Sequence, residues 1–290
     1  MTLDLAFGTA AIIGLSVLAF VVGRWLSARQ QSNRGLFFTS SLALTLAFSW
    51  LLGGKLFWAE LLPSASVIYW SNLMPVLLSL TAGFASMTGV LSRWNRSTTV
   101  VLLILLTSAY VAMPLARPAI APADTNADSD WHGRVCLQSH GSTCAPAAAA
   151  TLLRSASITA SESQMARWCL TSQYGTEPLG LFRGLAIASQ NYPRRARVAS
   201  KDASTWEDLG QLPNVALVTF ESFGNANGAT RTLDRVFGPG REGHAVVVLG
   251  RTDGGQWLIA DPAFGTTTWT DQTFQSRFTG DAIYLKRASR

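Results

Sequence analysis

The sequence predicts two parts of different character, an N-terminal α-helical transmembrane bundle and a C-terminal α+β domain. Three observations carry this reading. Residues 1–115 hold long apolar runs with only six Lys/Arg and two acids. Residues 116–130 contain Pro118, Pro122, Asp124, Asp128 and Asp130 with no apolar period, and read as a linker. From 131 to 290 a helical pattern comes first and strand alternation afterwards, the order of an α+β fold.

The first part is built from four runs. Leu5–Gly23 is uncharged over 19 residues, and Leu36–Gly54, about Ser66–Leu91 and Thr98–Leu115 follow. At 1.5 Å per residue each run reaches across roughly 30 Å of hydrocarbon. No Lys or Arg precedes the first run, so it is not read as a secretory signal peptide. Arg24, Arg29 and Arg34 flank the first loop and Arg93 and Arg96 the third, whereas Lys55 in the second is offset by Glu60. The positive-inside rule then puts loops one and three in the cytoplasm and the N-terminus outside. Four spans return the C-terminal domain to the outer side. The runs carry no chain of ionisable groups of the kind that lines a transport path. Asn72, Pro75 and the Ala85/Gly89 pair read as helix-packing features.

Composition excludes one class of partner. The net charge is +6, but residues 116–290 carry 17 Lys/Arg against 15 Asp/Glu, so the excess belongs mostly to the membrane loops. No basic surface for nucleic acid is expected.

Within the second part, Thr143 is read as the N-cap of a helix over Ala145–Ser155, and Ser161 opens another over Ser163–Leu170. A third helix, Leu179–Asn191, begins after Pro178. Strands are expected at Arg195–Ala199, Val215–Phe220, Ala245–Gly250, Gln256–Asp261, Thr266–Trp269 and Ala282–Lys286, with a short helix at Thr205–Leu209. Asp253-Gly254-Gly255 is a hairpin signal, and Ser222–Gly243, rich in Gly and Asn, reads as irregular.

The chemistry falls at points along this order. Cys144 heads an Ala-rich helix, where the positive end of the helix dipole favours a thiolate. His244 lies at the start of one strand and Asp261 at the end of the next, 17 residues on. Antiparallel pairing brings these together, so that Asp261 orients an imidazole that deprotonates Cys144. Gln138, six residues before the thiol, is placed to donate to an oxyanion together with the Cys144 N–H.

At these residues the chain resembles the bacteriocin-processing, double-glycine leader peptidases. Gln-x5-Cys, Gly175-Thr-Glu-Pro-Leu-Gly-Leu, Gly243-His244-Ala-Val-Val-Val-Leu, Ile-Ala-Asp261-Pro-Ala-Phe-Gly and Phe278-Thr-Gly carry the resemblance in order over about Cys136–Lys286. It implies a papain-like cysteine peptidase domain with Cys144 as nucleophile, His244 as base, Asp261 as orienter and Gln138 in the oxyanion hole. It implies a peptide or protein substrate and cleavage in an exported precursor after Gly-Gly. Together with the four apolar runs, it gives a multi-pass protein of the bacterial inner membrane, its peptidase domain periplasmic by the charge count above. The chain departs from that family in having Thr143-Cys144-Ala145 for Asp-Cys-Gly, in placing the peptidase last, and in lacking a Walker A motif. Two other readings use the same residues. One is a non-hydrolytic module that holds leader peptides for an export machine, and the other is a Cys-His-Asp acyltransferase or amidase.

Cys136, Cys144 and Cys169 all fall in the C-terminal domain. An odd count in an oxidising compartment predicts a Cys136–Cys169 disulfide that leaves Cys144 free; three free thiols in a cytoplasmic domain is the competing reading. No cofactor is expected, and no Cys/His cluster has the spacing of a metal site. His140 is expected at the rim of the cleft.

Overall fold

The computed structural model describes residues 3–126, 128–221 and 241–288. They divide into a helical unit, residues up to Trp58 and Ser64–Ile120, and a second unit made of Ala59–Pro63 and the residues from Ala121 onwards.

The helical unit contains α1 (Leu3–Arg29), α2 (Arg34–Leu51), α3 (Phe57–Leu61), α4 (Val67–Trp70), α5 (Met74–Ala85) and α6 (Arg93–Ile120). Among the described residues, three stretches are long and apolar enough to cross a bilayer: Asp4–Arg29, Val67–Ala85 and Arg93–Ile120. The second expected run forms α2, an 18-residue helix that begins at Arg34 and carries Thr39, Ser40, Ser41, Thr45 and Ser49. Large apolar side chains, among them Leu18, Val21, Leu46, Leu102 and Leu105, lie exposed on the outer faces of α1, α2 and α6. Such a surface suits hydrocarbon and not water.

Helix α5 is the buried centre of this unit, packed by α1, α2 and α6. Its backbone touches that of α1 at a pair of glycines. A Cβ on Gly23 would stand 2.7 Å from the Leu80 carbonyl, and one on Gly83 would collide with the Phe20 carbonyl. Small residues are what permit so close a crossing where lipid supplies no hydrophobic drive. Hydroxyls add polar contacts: Thr45 Oγ1 lies 3.2 Å from Thr81 Oγ1, and Ser79 Oγ 3.4 Å from Thr107 Oγ1.

The third expected run is interrupted at Ser71–Leu73, because Pro75 sits in the first turn of α5. The fourth extends beyond Leu115, through Pro114 and Pro118, to Ile120. Pro114 lacks the N–H that would bond the carbonyl four residues back, at Tyr110. Asn72 Nδ2 donates to that carbonyl at 3.1 Å, which satisfies it from a neighbouring helix. Asn72 thus has the packing role its polarity suggested.

The second unit opens with a small hairpin, β1 (Trp131–His132) and β2 (Val135–Cys136), followed by α7 (Cys144–Ser155), α8 (Glu162–Trp168) and α9 (Pro178–Ser189). A six-stranded antiparallel sheet has the order β3-β8-β4-β5-β6-β7. Its strands are β3 (Arg194–Val198), β4 (Asn214–Glu221), β5 (Arg241–Arg251), β6 (Trp257–Asp261), β7 (Gly265–Trp269) and β8 (Phe278–Arg287). Helix α10 (Asp271–Arg277) connects β7 to β8. The result is the expected α+β unit.

Helix α7 is the spine. Ala145 through Leu153 are all buried, because alanine allows the sheet on one side and α8 and α9 on the other to approach closely. Trp206, Trp257, Trp269 and Phe274 fill a second core with Val218, Val246 and Ile259 of the sheet. Local signals account for the element starts. Ser161 and Gln164 form a reciprocal capping box ahead of α8. Thr270 Oγ1 accepts from Thr273 N to cap α10. The stretch expected to be irregular lies outside the described residues from 222 to 240, and β5 begins at Arg241. The expected helix at Thr205–Leu209 is only a turn of 3-10 helix at Ala203–Thr205.

Two local expectations are corrected. Cys136 and Cys169 form no disulfide; all three cysteines are free. The two buried thiols occupy separate packing sites. Cys136 lies on β2, its N–H bonded to Thr151 Oγ1 of α7 and its Sγ 3.8 Å from the Leu137 carbonyl. Cys169 sits at the end of α8 with its Sγ packed on Gly184 of α9, where no Cβ would fit. Burial, the largest cause in each case, pushes both thiols up to about 12. The second correction concerns Thr143, which does occupy the N-cap position but makes no side-chain cap bond. Its hydroxyl is committed to the preceding turn.

Candidate active site

Four chain segments converge on Cys144. The thiol belongs to the first residue of a 12-residue helix and remains partly accessible. First-turn N–H groups have no intrahelical partner, so the helix presents free donors and its positive end there. The turn that delivers Cys144 is closed by Thr143. Its N–H and Oγ1 both donate to the His140 carbonyl, at 3.1 and 2.9 Å, and its Oγ1 accepts from His140 N at 3.1 Å. Thr143 is fully buried, so this lock is shielded from water.

His244 stands on β5, opposite Val218 of β4. Strand β6 pairs with β5 so that Val247 faces Ala260, which places Asp261 diagonally across from His244. His244 Nε2 donates to Asp261 Oδ1 at 2.8 Å. The same oxygen accepts from Ala263 N at 2.9 Å, which fixes the carboxylate before the imidazole reaches it. Asp261 is only 3% exposed and the His244 side chain 13%. Burial of the ring opposes its charge, but hydrogen bonds to Asp261 and to the Cys144 thiol, with the charges of both, outweigh it and push His244 up to about 9. The imidazole is therefore held by Asp261, acts electrostatically on Cys144 and carries a proton at neutral pH.

Gln138 lies on the segment just before the turn. Its backbone N–H donates to the Pro262 carbonyl at 2.8 Å, joining this segment to the Asp261 turn. Its Nε2 donates to the His140 carbonyl at 3.2 Å, and its buried Oε1 has no hydrogen-bond partner among the described residues. The expected residues are thus brought to one region: His244 and Asp261 are linked side chain to side chain, and Cys144 acts on the same imidazole. Gln138 is tied to the loop that carries the thiol. His140 is exposed at the rim, its Nδ1 3.2 Å from Ser142 Oγ, so it serves its own loop.

The profile of the Peptidase_C39-like family matches residues 134–288, more than half of the chain and every residue of this site. The chain belongs to that family. The comparison with curated proteins gives no match. Among solved structures, the peptidase domain of Streptococcus ComA, a bifunctional ABC transporter of a quorum-sensing pathway, is 23% identical. It covers 55% of this chain and 100% of its own, with a TM-score of 0.39. A double-glycine-motif protease from an AMS/PCAT transporter, solved with its leader peptide, is 20% identical over 57% of this chain and 97% of its own, with a TM-score of 0.40. The peptidase domain of Streptococcus mutans ComA is 23% identical over 53% of this chain and 99% of its own, with a TM-score of 0.34.

This C39-like site also contains residues that sequence reading passed over. Glu162 is fully buried at the start of α8, and its carboxylate accepts from Ser139 N at 2.9 Å and Ser139 Oγ at 2.7 Å. It therefore pins the residue between Gln138 and His140. Phe220 of β4 packs edge-on to the His244 ring, with centroids 5.4 Å apart. Glu162 was visible only as an acid in a first turn, because the Ser139 contact spans 23 positions. Phe220 was visible only as a strand residue, and the fold packs it against the aromatic core that contains Val218. No group of three or more His, Cys, Asp or Glu residues able to hold a metal occurs among the described residues.

Proposed function

We propose that this protein is a membrane-anchored cysteine peptidase that hydrolyses a peptide bond in an exported peptide or protein. The observation that carries the reading is the bridge from Asp261 through His244 to Cys144 at a helix N-terminus. In the first half of the reaction the Cys144 thiolate adds to the scissile carbonyl. The oxyanion is held by the Cys144 N–H and by the second N–H of the Gln138 amide, whose first is on the His140 carbonyl. His244 passes its proton to the leaving amine as the C–N bond breaks, leaving a thioester on Cys144. Water, deprotonated by His244, then releases the acid and restores the thiol.

Leader or precursor processing is the substrate class that family membership favours, with small residues such as Gly-Gly before the cut. The excess of Arg beside α1 and α6 over the Lys55/Glu60 loop favours a periplasmic peptidase domain, on the side of the N-terminus, with α2 as a fourth span. Labelling of Cys144 in spheroplasts by a membrane-impermeant maleimide tests that side. Labelling only after lysis would move the domain to the cytoplasm.

The central experiment compares exported peptides, by mass, in cells carrying the native chain and Cys144→Ala. The expected result is accumulation of an unprocessed precursor in the variant. Identical peptide masses, with both proteins folded in the membrane, would remove the peptidase reading.

A further inference from the structure

Beyond the catalytic quartet, one cation beside it is held in place but not neutralised. Arg277 ends α10, and its Cζ lies 4.7 Å from the centroids of both Phe220 and Trp269. Those rings are themselves 6.1 Å apart and nearly perpendicular, so the guanidinium sits between two aromatic faces. Trp269 is buried, and Phe220 and Arg277 are half-buried. Among the described residues the guanidinium makes no hydrogen bond and no ion pair.

A stacked arginine on the sheet shows what is missing. Arg251 lies 3.9 Å from the Trp257 centroid and also pairs with Asp271, at 2.9 Å. Arg251 has both a ring and a carboxylate; Arg277 has two rings and no carboxylate. A stacked guanidinium keeps its fork of donors free at the edge, fixed in orientation with little rotamer freedom left to lose. That arrangement matches the geometry of a carboxylate.

The position points to substrate. Phe220 touches the His244 ring, with centroids 5.4 Å apart, and carries Arg277 on another face, so the guanidinium lies within about 10 Å of the catalytic imidazole. An extended peptide covers that distance in about three residues.

We infer that Arg277 forms a subsite for an acidic side chain, Asp or Glu, located within about three residues of the scissile bond of the peptide. This rests on the peptidase reading above and adds a charge requirement to it. Phe220 has a double role: it packs on the imidazole and it positions the cation that selects the substrate. The pairing also makes binding sensitive to ionic strength, since the contact lies at a half-open edge.

The test uses the full-length chain in detergent, with Cys144→Ser to allow capture without turnover. A positional-scanning library of synthetic decapeptides is applied, and the retained peptides are sequenced by mass spectrometry. The expected result is an enrichment of Asp and Glu over Asn and Gln by roughly tenfold or more at one position, the range of a charge-assisted hydrogen bond. Arg277→Lys should keep a weaker acidic preference, Arg277→Gln should lose it, and Arg277→Glu should favour Lys and Arg at the same position. Should the charge reversal fail to fold, the Lys and Gln variants make the comparison. Retention of no peptide, no acidic enrichment at any position, or the same enrichment in Arg277→Gln overturns the inference. Capture with the acidic preference, but no cleavage by the chain bearing Cys144, supports the subsite and removes the peptidase reading alone.

Discussion

Replacing Asp261 by Asn keeps the shape of the side chain and removes its charge. The Asn Oδ1 can still accept from Ala263 N and from His244 Nε2, at distances near the present 2.9 and 2.8 Å, so the geometry of the turn survives. What is lost is the difference between a charged and a neutral acceptor. Hydrogen bonds to charged groups contribute roughly 1.5–3 kcal/mol, which corresponds to about ten- to hundredfold in the population of imidazolium at fixed pH. His244 in the native chain is raised from 6.5 to about 9 against the opposing effect of burial, so Asp261 and Cys144 carry the rise. The assay is the second-order rate of iodoacetamide alkylation at Cys144, followed by mass between pH 5 and 10. The native profile should show its imidazolium-dependent step near pH 9, and that of Asp261→Asn should show it about one to two pH units lower. Stability should follow the same group. Because the folded value lies above the unfolded one, the interaction stabilises fully below about 6.5 and is lost as the pH rises through about 9. The thermal midpoint of the native chain should therefore fall across that window, and the variant's should be flatter. Rates within twofold of native across the range, in a folded variant, would refute the reasoning.

Other measurements probe the frame around the site. Titration with Ellman's reagent should find one reactive thiol in the native protein and three after denaturation without reductant, since Cys136 and Cys169 are buried and unpaired. A denatured count of one would restore the disulfide. Glu162→Gln removes the charge that anchors Ser139, and should lower stability by about 1–3 kcal/mol, read as a fall in thermal midpoint. Asn72→Leu leaves the Tyr110 carbonyl opposite Pro114 without its donor, and should weaken the helical unit by about 0.6–2 kcal/mol in detergent unfolding.

The sequence disclosed what depends on periodicity and on nearest neighbours. The Ala-rich run became a helix because alanine both favours helix and fits between sheet and helices, and the strand pair bearing His244 and Asp261 followed from alternation around a Gly-Gly turn. The three-way link of Cys144, His244 and Asp261 was legible for the same reason. Features joined across space were not. The Glu162–Ser139 contact and the Gly23–Gly83 crossing each need the fold to bring distant positions together. Helix α10 and the β1–β2 hairpin are too short to show a period. The disulfide failed because counting cysteines says nothing of where their side chains point. Once Cys169 packs on Gly184 and Cys136 against α7, the two sulfurs belong to different layers.

Thr143 stands where the resembling peptidases have Asp, immediately before the nucleophile, and the structure shows what holds the turn in its place. A carboxylate there could only accept hydrogen bonds, whereas the threonine hydroxyl both donates to the His140 carbonyl and accepts from the His140 N–H. The same carbonyl receives Thr143 N and Gln138 Nε2, so one backbone oxygen gathers the turn, the nucleophile's neighbour and the candidate oxyanion donor. The Gln138 N–H to Pro262 carbonyl bond then couples this assembly to the Asp261 turn. The nucleophile and its orienting acid therefore share a backbone frame, and His244 is the member that must fit between them. Among the described residues, the carboxylate bonded to His244 is Asp261, and Glu162 is committed to Ser139. The arrangement keeps a proton on His244 beside the Cys144 sulfur, placed for transfer to a leaving amine.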